Sequence, residues 1–342
     1  MPPPTSVNHQ LICFAFGQVI MLLNVNTGVF SKYLTNNGVS LPTLQSAFLY
    51  AALGLVYLPI KFFVRRQTNL AVPIWFYALI AFVDVEANYF AVKAFNYANY
   101  VTVGLLLNLT VPFATLFCYI FLKTRYAKTH YLASFIAVCG SVVIFVTDYN
   151  SSINGEMSRE IRGNIYCVIA AAMYAASNVM IQSVVKVRDF DTNIELLGFL
   201  GLFAAVISAV QISILELDPI KEAQFSGKIY GYFAGFVLSM FTFYTLVSVF
   251  LRWAESLMFN LSLLTGPVFT VFASYFLFDE SVKSWYWLAL GLFYIGLTIY
   301  AFAPAPVEAH QAAAAENHEH LEKDYDELWT PDDKSPAAMD KA

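Results

Sequence analysis

Apolar runs of about twenty residues follow one another from Leu11 to Ala303 almost without pause. A helix needs roughly 20 mostly apolar residues to cross a bilayer. A chain that repeats such runs is committed to the membrane before any other feature is considered. The composition agrees, with 58% hydrophobic residues, 13% charged and a mean hydropathy of +0.60. That is far from a soluble globular domain. Only the stretch from Pro304 is polar, and the net charge of -5 comes largely from it.

Length and interruption of the runs predict ten spans: Leu11–Phe30, Leu41–Phe63, Val72–Phe95, Val101–Leu122, Tyr131–Val146, Gly163–Val185, Ile194–Leu215, Ile229–Leu251, Ser256–Phe278 and Trp285–Phe302. Short connections make neighbours antiparallel. Trp75, Trp253, Trp285 and Trp287 sit at span ends, where interfacial aromatics belong. Lys61, Arg65 and Arg66, then Lys123, Arg125 and Lys128, follow even-numbered spans. Basic loops stay on the cytoplasmic side, so both termini are expected in the cytosol.

The chain also repeats itself. At an offset of 155, Leu106, Thr110, Pro112, Thr115, Phe117 and Phe121 meet Leu261, Thr265, Pro267, Thr270, Phe272 and Phe276. At 154, Asn24-Val25 and Lys32 meet Asn178-Val179 and Lys186. Each copy has five spans, an odd number, so the second copy is upside down in the bilayer. Inverted repeats recur in transporters, with the solute site near the midplane between copies. The expected fold is therefore an all-α polytopic membrane protein of ten transmembrane helices in two inverted five-helix repeats. Residues 1–10 form a short cytosolic N-terminus, 11–150 the first repeat, 151–303 the second, and 304–342 a disordered acidic cytosolic tail. Pro112 and Pro267 fall mid-span in equivalent helices; each removes a backbone hydrogen bond and predicts a kink.

One stretch breaks the apolar pattern. Asp84, Glu86, Asn88, Tyr89 and Lys93 lie inside the run from Val72 to Phe95. A charge there costs roughly 2.5–3.5 kcal/mol on insertion scales, is tolerated against other helices or a wet cavity, and often marks a solute path. On a helix Glu86, Tyr89 and Lys93 share one face, and Asp84 and Asn88 another. Glu86 and Lys93 are roughly 10 Å apart along the axis and need separate partners. Glu86, assisted by Asp84, is the expected coupling charge. The intramembrane amides Asn24, Asn108, Asn178 and Asn260 are either solute contacts or polar glue between helices. Tyr174, four residues before Asn178, is expected to share a solute contact with it.

Other classes find less support. The histidines, His9, His130, His310, His318 and His320, do not lie deep in any span, and there is no GxSxG, HExxH or P-loop. Neither an enzyme nor a bound cofactor is expected. No basic stripe suggests nucleic acid. Cys13, Cys118, Cys139 and Cys167 lie in apolar runs without CxxC spacing and read as packing residues. Asn150-Ser-Ser152 matches a glycosylation pattern and Tyr325–Leu328 a tyrosine-type sorting pattern. A membrane receptor or trafficking scaffold is the reading of another class.

Particular strings resemble a known family. They are Asp84-Val-Glu-Ala-Asn-Tyr89 with Val92-Lys93-Ala94, Phe121-Leu-Lys-Thr-Arg-Tyr126, Tyr174 with Ser177-Asn-Val179, Gly201-Leu-Phe203 and Asn260-Leu-Ser-Leu-Leu-Thr265. From the first helix to Phe302 the chain is similar to F-type members of solute carrier family 35, in the drug/metabolite transporter superfamily. The resemblance implies an alternating-access carrier of a small-molecule solute in a lipid bilayer, as a monomer or homodimer. The membrane is the plasma membrane or an endomembrane. Better-known relatives exchange nucleotide sugars, but the F-type branch diverges from them. A nucleoside- or nucleobase-like solute is expected, with nucleotide-sugar exchange as the alternative. Lys32 and Lys93 attract an anion only if they do not snorkel to the interface, the commoner behaviour of lysines near helix ends.

Overall fold

The computed structural model describes residues 7–65, 70–150, 159–185, 190–253, 265–280 and 284–303. Asn260, Lys186 and the tail with Tyr325–Leu328 lie outside these. The elements, in order, are α1 (Val7–Asn36), α2 (Pro42–Pro59), α3 (Ile74–Ala94), α4 (Tyr100–Leu106), α5 (Thr110–Phe121), α6 (Lys128–Asn150), α7 (Arg159–Val185), α8 (Phe190–Leu215), α9 (Leu217–Glu222), α10 (Gly227–Trp253), α11 (Gly266–Phe278) and α12 (Ser284–Ala301). Among the described residues seven segments are long and apolar enough to cross a membrane: Pro42–Val64, Ile74–Ala94, Tyr100–Phe121, Lys128–Tyr149, Arg159–Val184, Thr192–Leu215 and Gly227–Val247. The chain is an all-helical polytopic membrane protein.

Burial runs opposite to that of a soluble protein. Large apolar groups such as Phe63, Leu55 and Ile214 point outward, while Asp84, Asn88, Ser177, Lys61 and Glu195 are buried. Lipid is as apolar as a leucine side chain, so close packing and interhelical hydrogen bonds must hold helices together. The most extensive contacts are α2 with α8, α6 with α12, α3 with α7, and α1 with α10. Gly201 of α8 meets Gly54 of α2. A Cβ added to Gly201 would lie 2.7 Å from the Tyr50 carbonyl oxygen, too close for any side chain. Leu49, Leu53, Ile80, Leu197 and Leu200 fill one core around this crossing. A second core, built on Tyr100, Leu105, Ile144 and Phe293, lies nearer α6 and α12.

The fourth predicted span is not one helix. A 3-10 turn, Leu107–Leu109, joins α4 to α5, and Pro112 is the third residue of α5. Proline lacks an N–H and its ring crowds the carbonyl four residues back, here that of Asn108. The Asn108 side chain turns back to donate to the Gly104 carbonyl at 2.9 Å. Pro267 stands in the first turn of α11. Asn108, Pro112 and Pro267 line one small pocket of about 10 Å³.

Candidate functional site

The two polar faces of α3 lead to different surroundings. Asp84 points into the bundle and is 3% exposed. Its Oδ2 accepts the Tyr50 hydroxyl of α2 at 2.8 Å and the Tyr244 hydroxyl of α10 at 2.9 Å. Its Oδ1 accepts the Ser177 hydroxyl of α7 at 3.1 Å. Asn88, one turn on, donates to the Tyr50 oxygen at 2.7 Å and to Asp84 Oδ2 at 3.3 Å, and accepts the Tyr174 hydroxyl at 2.8 Å. Helices α2, α3, α7 and α10 therefore meet on one carboxylate.

Among the described residues Asp84 forms no ion pair. All its partners are neutral donors. Burial disfavours a charged carboxylate, and each of these hydrogen bonds offsets part of that cost.

On the opposite face Glu86 is half-buried and accepts Gln211 Nε2 of α8 at 3.1 Å. The Gln211 Oε1 is buried without a partner. Lys93 Nζ donates to the Tyr89 hydroxyl at 2.5 Å and lies 4.7 Å from that ring's centroid and 5.6 Å from that of Tyr166. Glu86 and Lys93 have separate partners.

The amides divide. Asn24 on α1 and Asn178 on α7 are both exposed partway along their helices. Tyr174 turns inward and gives its hydroxyl to Asn88, whereas Asn178 is exposed. The intervening Ser177 takes the inward place. Asn108 serves its own helix. Tyr50, Ser177 and Tyr244 complete the Asp84 cluster, yet sequence reasoning gave them no role in it. Nothing marks two of 21 tyrosines in advance. Ser177, three residues from Tyr174, was the findable one.

Charged groups at the helix ends are also paired. Lys61, at the end of α2, meets Glu195 of α8 at 2.5 Å; Glu195 also accepts the Ala71 N–H at 2.7 Å and the Tyr77 hydroxyl. Lys32 corrects the expectation of snorkelling. It is 8% exposed, holds Glu280 at 3.0 Å and donates to the Ala98 carbonyl at 3.3 Å. An anion within reach makes the buried position better than the interface. Beside it opens a cavity of about 540 Å³, lined by residues of α1, the α3–α4 connection and the start of α7.

The family model of solute carrier family 35 (its F group) matches residues 7–302. Solute carrier family 35 member F2 of mouse is 30% identical over 296 residues, covering 85% of this chain and 78% of its own. The Xenopus tropicalis member F2 is 27% identical over 302 residues, covering 85% and 76%. An uncharacterised family member of Schizosaccharomyces pombe is 30% identical over 297 residues, 84% of this chain and 57% of its own. A crystal structure shares the fold with a TM-score of 0.58 at 17% identity, over 84% of this chain and 95% of its own. With its apolar helices, its buried polar cluster and this match along nearly all the described helices, the chain belongs to solute carrier family 35 and is a transmembrane solute transporter.

Proposed function

We propose that the protein is a secondary-active carrier that moves a small polar organic solute by alternating access between two inverted five-helix halves. Asp84 is the charge on which its cycle turns. The observation that carries this reading is the Asp84 cluster: a buried carboxylate without an ion pair among the described residues, held by hydroxyls of α2, α7 and α10. Any rigid-body movement between those helices must change its partners. Asp84 thereby takes precedence over Glu86, which accepts Gln211 on the other side of α3.

The packing supports the inverted halves. In the ten-span reading α1, α11 and α12 join the seven spans named above, and α4 with α5 counts as one. The repeat then exchanges α1 with α7, α2 with α8, α3 with α10, and α6 with α12. Under that exchange the α3–α7 contact becomes the α10–α1 contact, while α2–α8 and α6–α12 return to themselves. These are the four most extensive pairs. Both termini would lie in the cytosol.

A carboxamide exposed partway through the bilayer is costly against lipid and favourable along a wet path. Asn24 and Asn178 offer one such group from each half. Each presents a donor and an acceptor, the pair needed to read the edge of a nucleobase. A nucleoside- or nucleobase-like solute is therefore the first to test.

The experiment is uptake into proteoliposomes, screened with nucleosides, nucleobases and nucleotide sugars, for wild type, Asp84→Asn and Glu86→Gln. Saturable uptake lost in a folded Asp84→Asn protein supports the mechanism. Uptake unchanged by that substitution removes Asp84 from it. Uptake of nucleotide sugars alone would move the substrate to that class.

A further inference from the structure

We propose that the cavity beside Lys32 binds the phosphate-type oxyanion of a ligand, and that this anion competes with Glu280 for Lys32. Its volume of about 540 Å³ falls within the range of ligand sites, roughly 300–1,000 Å³. Two cations line it. Arg159 directs Nε and Nη2 at the Asn96 carbonyl, at 3.1 and 2.5 Å, and its guanidinium stands 6.0 Å from the Tyr97 ring centroid. Among the described residues Arg159 has no ion pair. A guanidinium carries five N–H donors in a planar fork that fits an oxyanion, and the Asn96 carbonyl leaves part of that fork free.

Lys32 is the second cation. Its ammonium is buried, and its bonds run to Glu280 and the Ala98 carbonyl. Asn36 and Asn99 add carboxamides to the lining, and Glu160 adds one carboxylate. Glu280 already offsets Lys32 and Glu160 lines the cavity with Arg159, so the site has room for the charge of a small anion only as that anion takes Glu280's place on Lys32.

Glu280 is more than a counterion. Its Oε2 accepts the Tyr100 N–H at the start of α4, at 2.9 Å, and the Ser274 hydroxyl of α11, at 3.0 Å. An anion that takes Lys32 leaves Glu280 with those two bonds and removes one tie between α1 and the end of α11, where the Tyr33 and Phe278 rings stay packed at 5.0 Å. Binding in the cavity and loosening of this end of the bundle are thus one event. The inference does not depend on transport.

Free phosphate and a phospholipid headgroup offer the same chemistry. The probe is a Thr35→Cys reporter, which lines the cavity, in phosphatidylcholine nanodiscs. Its rate of modification by a membrane-impermeant maleimide is followed against wild type as background. Inorganic phosphate is titrated against chloride at matched ionic strength, and a second set of discs contains phosphatidic acid. Site occupancy at ten times the dissociation constant slows labelling by about tenfold. Slowing by soluble phosphate assigns the free anion, and slowing only in phosphatidic acid assigns a headgroup. Labelling unchanged in both overturns the site. Arg159→Gln is expected to abolish the protection, and protection retained in it places the anion elsewhere. Glu280→Gln is expected to lower the half-protecting phosphate concentration, because the competitor is gone; a half-point that stays or rises overturns the competition. Asn99→Cys serves as reporter if Thr35→Cys does not fold.

Discussion

Glu216 caps α2 from the far side of the chain: its Oε1 accepts the Thr43 N–H at 2.7 Å and its Oε2 the Leu44 N–H at 2.8 Å. Helix α2 opens on Pro42 after Leu41, which offers no side-chain cap. The first N–H groups of a helix need partners, and here the partner comes from the end of α8. A carboxylate also sits well at the positive end of the helix dipole. Glu216→Ala strands two N–H groups at a buried helix start. An unmet buried donor costs about 1–3 kcal/mol, and the unfolding midpoint in detergent is expected to fall accordingly. A midpoint equal to wild type would mean water or another group replaces the cap.

The same carboxyl gives a pH dependence. Glu216 lies just beyond the α8 span, and burial pushes its carboxyl above the ordinary 4.5, against the pull of the Thr43 and Leu44 N–H groups. The folded protein then holds this proton more tightly than the unfolded chain. Its contribution to stability is greatest below the unfolded value and declines as pH rises through the raised one. Wild type should therefore lose more stability between about pH 5 and pH 7 than Glu216→Gln, which does not titrate. Thermal midpoints of both proteins at the two pH values test this, and parallel changes would exclude the titration.

Some of this could be read from the chain and some could not. Long apolar runs announce helices because lipid leaves the backbone no other partner than itself. Asp84 and Asn88 stood out because a polar group inside such a run must be met by something. What met them was not legible: Tyr50 and Tyr244 are 194 residues apart in the numbering, and tyrosine is common in this chain. Glu216 and Glu280 fall just past the ends of two predicted spans, at Leu215 and Phe278. Their work as caps and counterions exists only once α8 and α11 are docked against α2 and α4. The pairing of Lys32 was hidden for the same reason, since its anion, Glu280, is supplied from beyond the end of α11. The sequence predicts a kink at Pro112; the 3-10 turn just ahead of it depends on where Asn108 finds its acceptor.

The crossing of α2 and α8 has no room for a side chain at Gly201. A Cβ there would meet the Tyr50 carbonyl oxygen at 2.7 Å and Gly54 Cα at 2.9 Å, both backbone atoms that cannot turn aside. Overpacking of this kind typically costs about 1–3 kcal/mol. Gly201→Ala is expected to destabilise the protein by that order and to displace Tyr50 from Asp84, whose hydroxyl contact is on the same turn of α2. Gly231, where an added Cβ meets nothing within 4 Å, is the control: Gly231→Ala should be close to neutral. Thermal unfolding of the two variants, side by side, distinguishes a packing effect from a general loss of glycine.

The pair of Lys61 and Glu195 makes the most demanding prediction. Both residues are buried, at 1% and 3% exposure, and Lys61 Nζ stands 5.9 Å from the ring centroids of Phe62 and Phe199. Removing one partner of a buried pair leaves the other charge in apolar surroundings, at a cost of about 3–5 kcal/mol. Glu195→Gln should be harmful because it takes the carboxylate away from the buried ammonium. Lys61→Met should be less so, because Glu195 keeps the Ala71 N–H and the Tyr77 hydroxyl. Replacing both, as Lys61→Met with Glu195→Leu, removes the two charges together. Well-packed apolar replacements of buried pairs are often neutral or stabilising. The double variant is expected to recover most of the stability lost in Glu195→Gln, though the Tyr77 hydroxyl and the Ala71 N–H then lose their acceptor. A double variant as unstable as Glu195→Gln would show that these two hydrogen bonds, rather than the ion pair, hold α2, α3 and α8 together at this end.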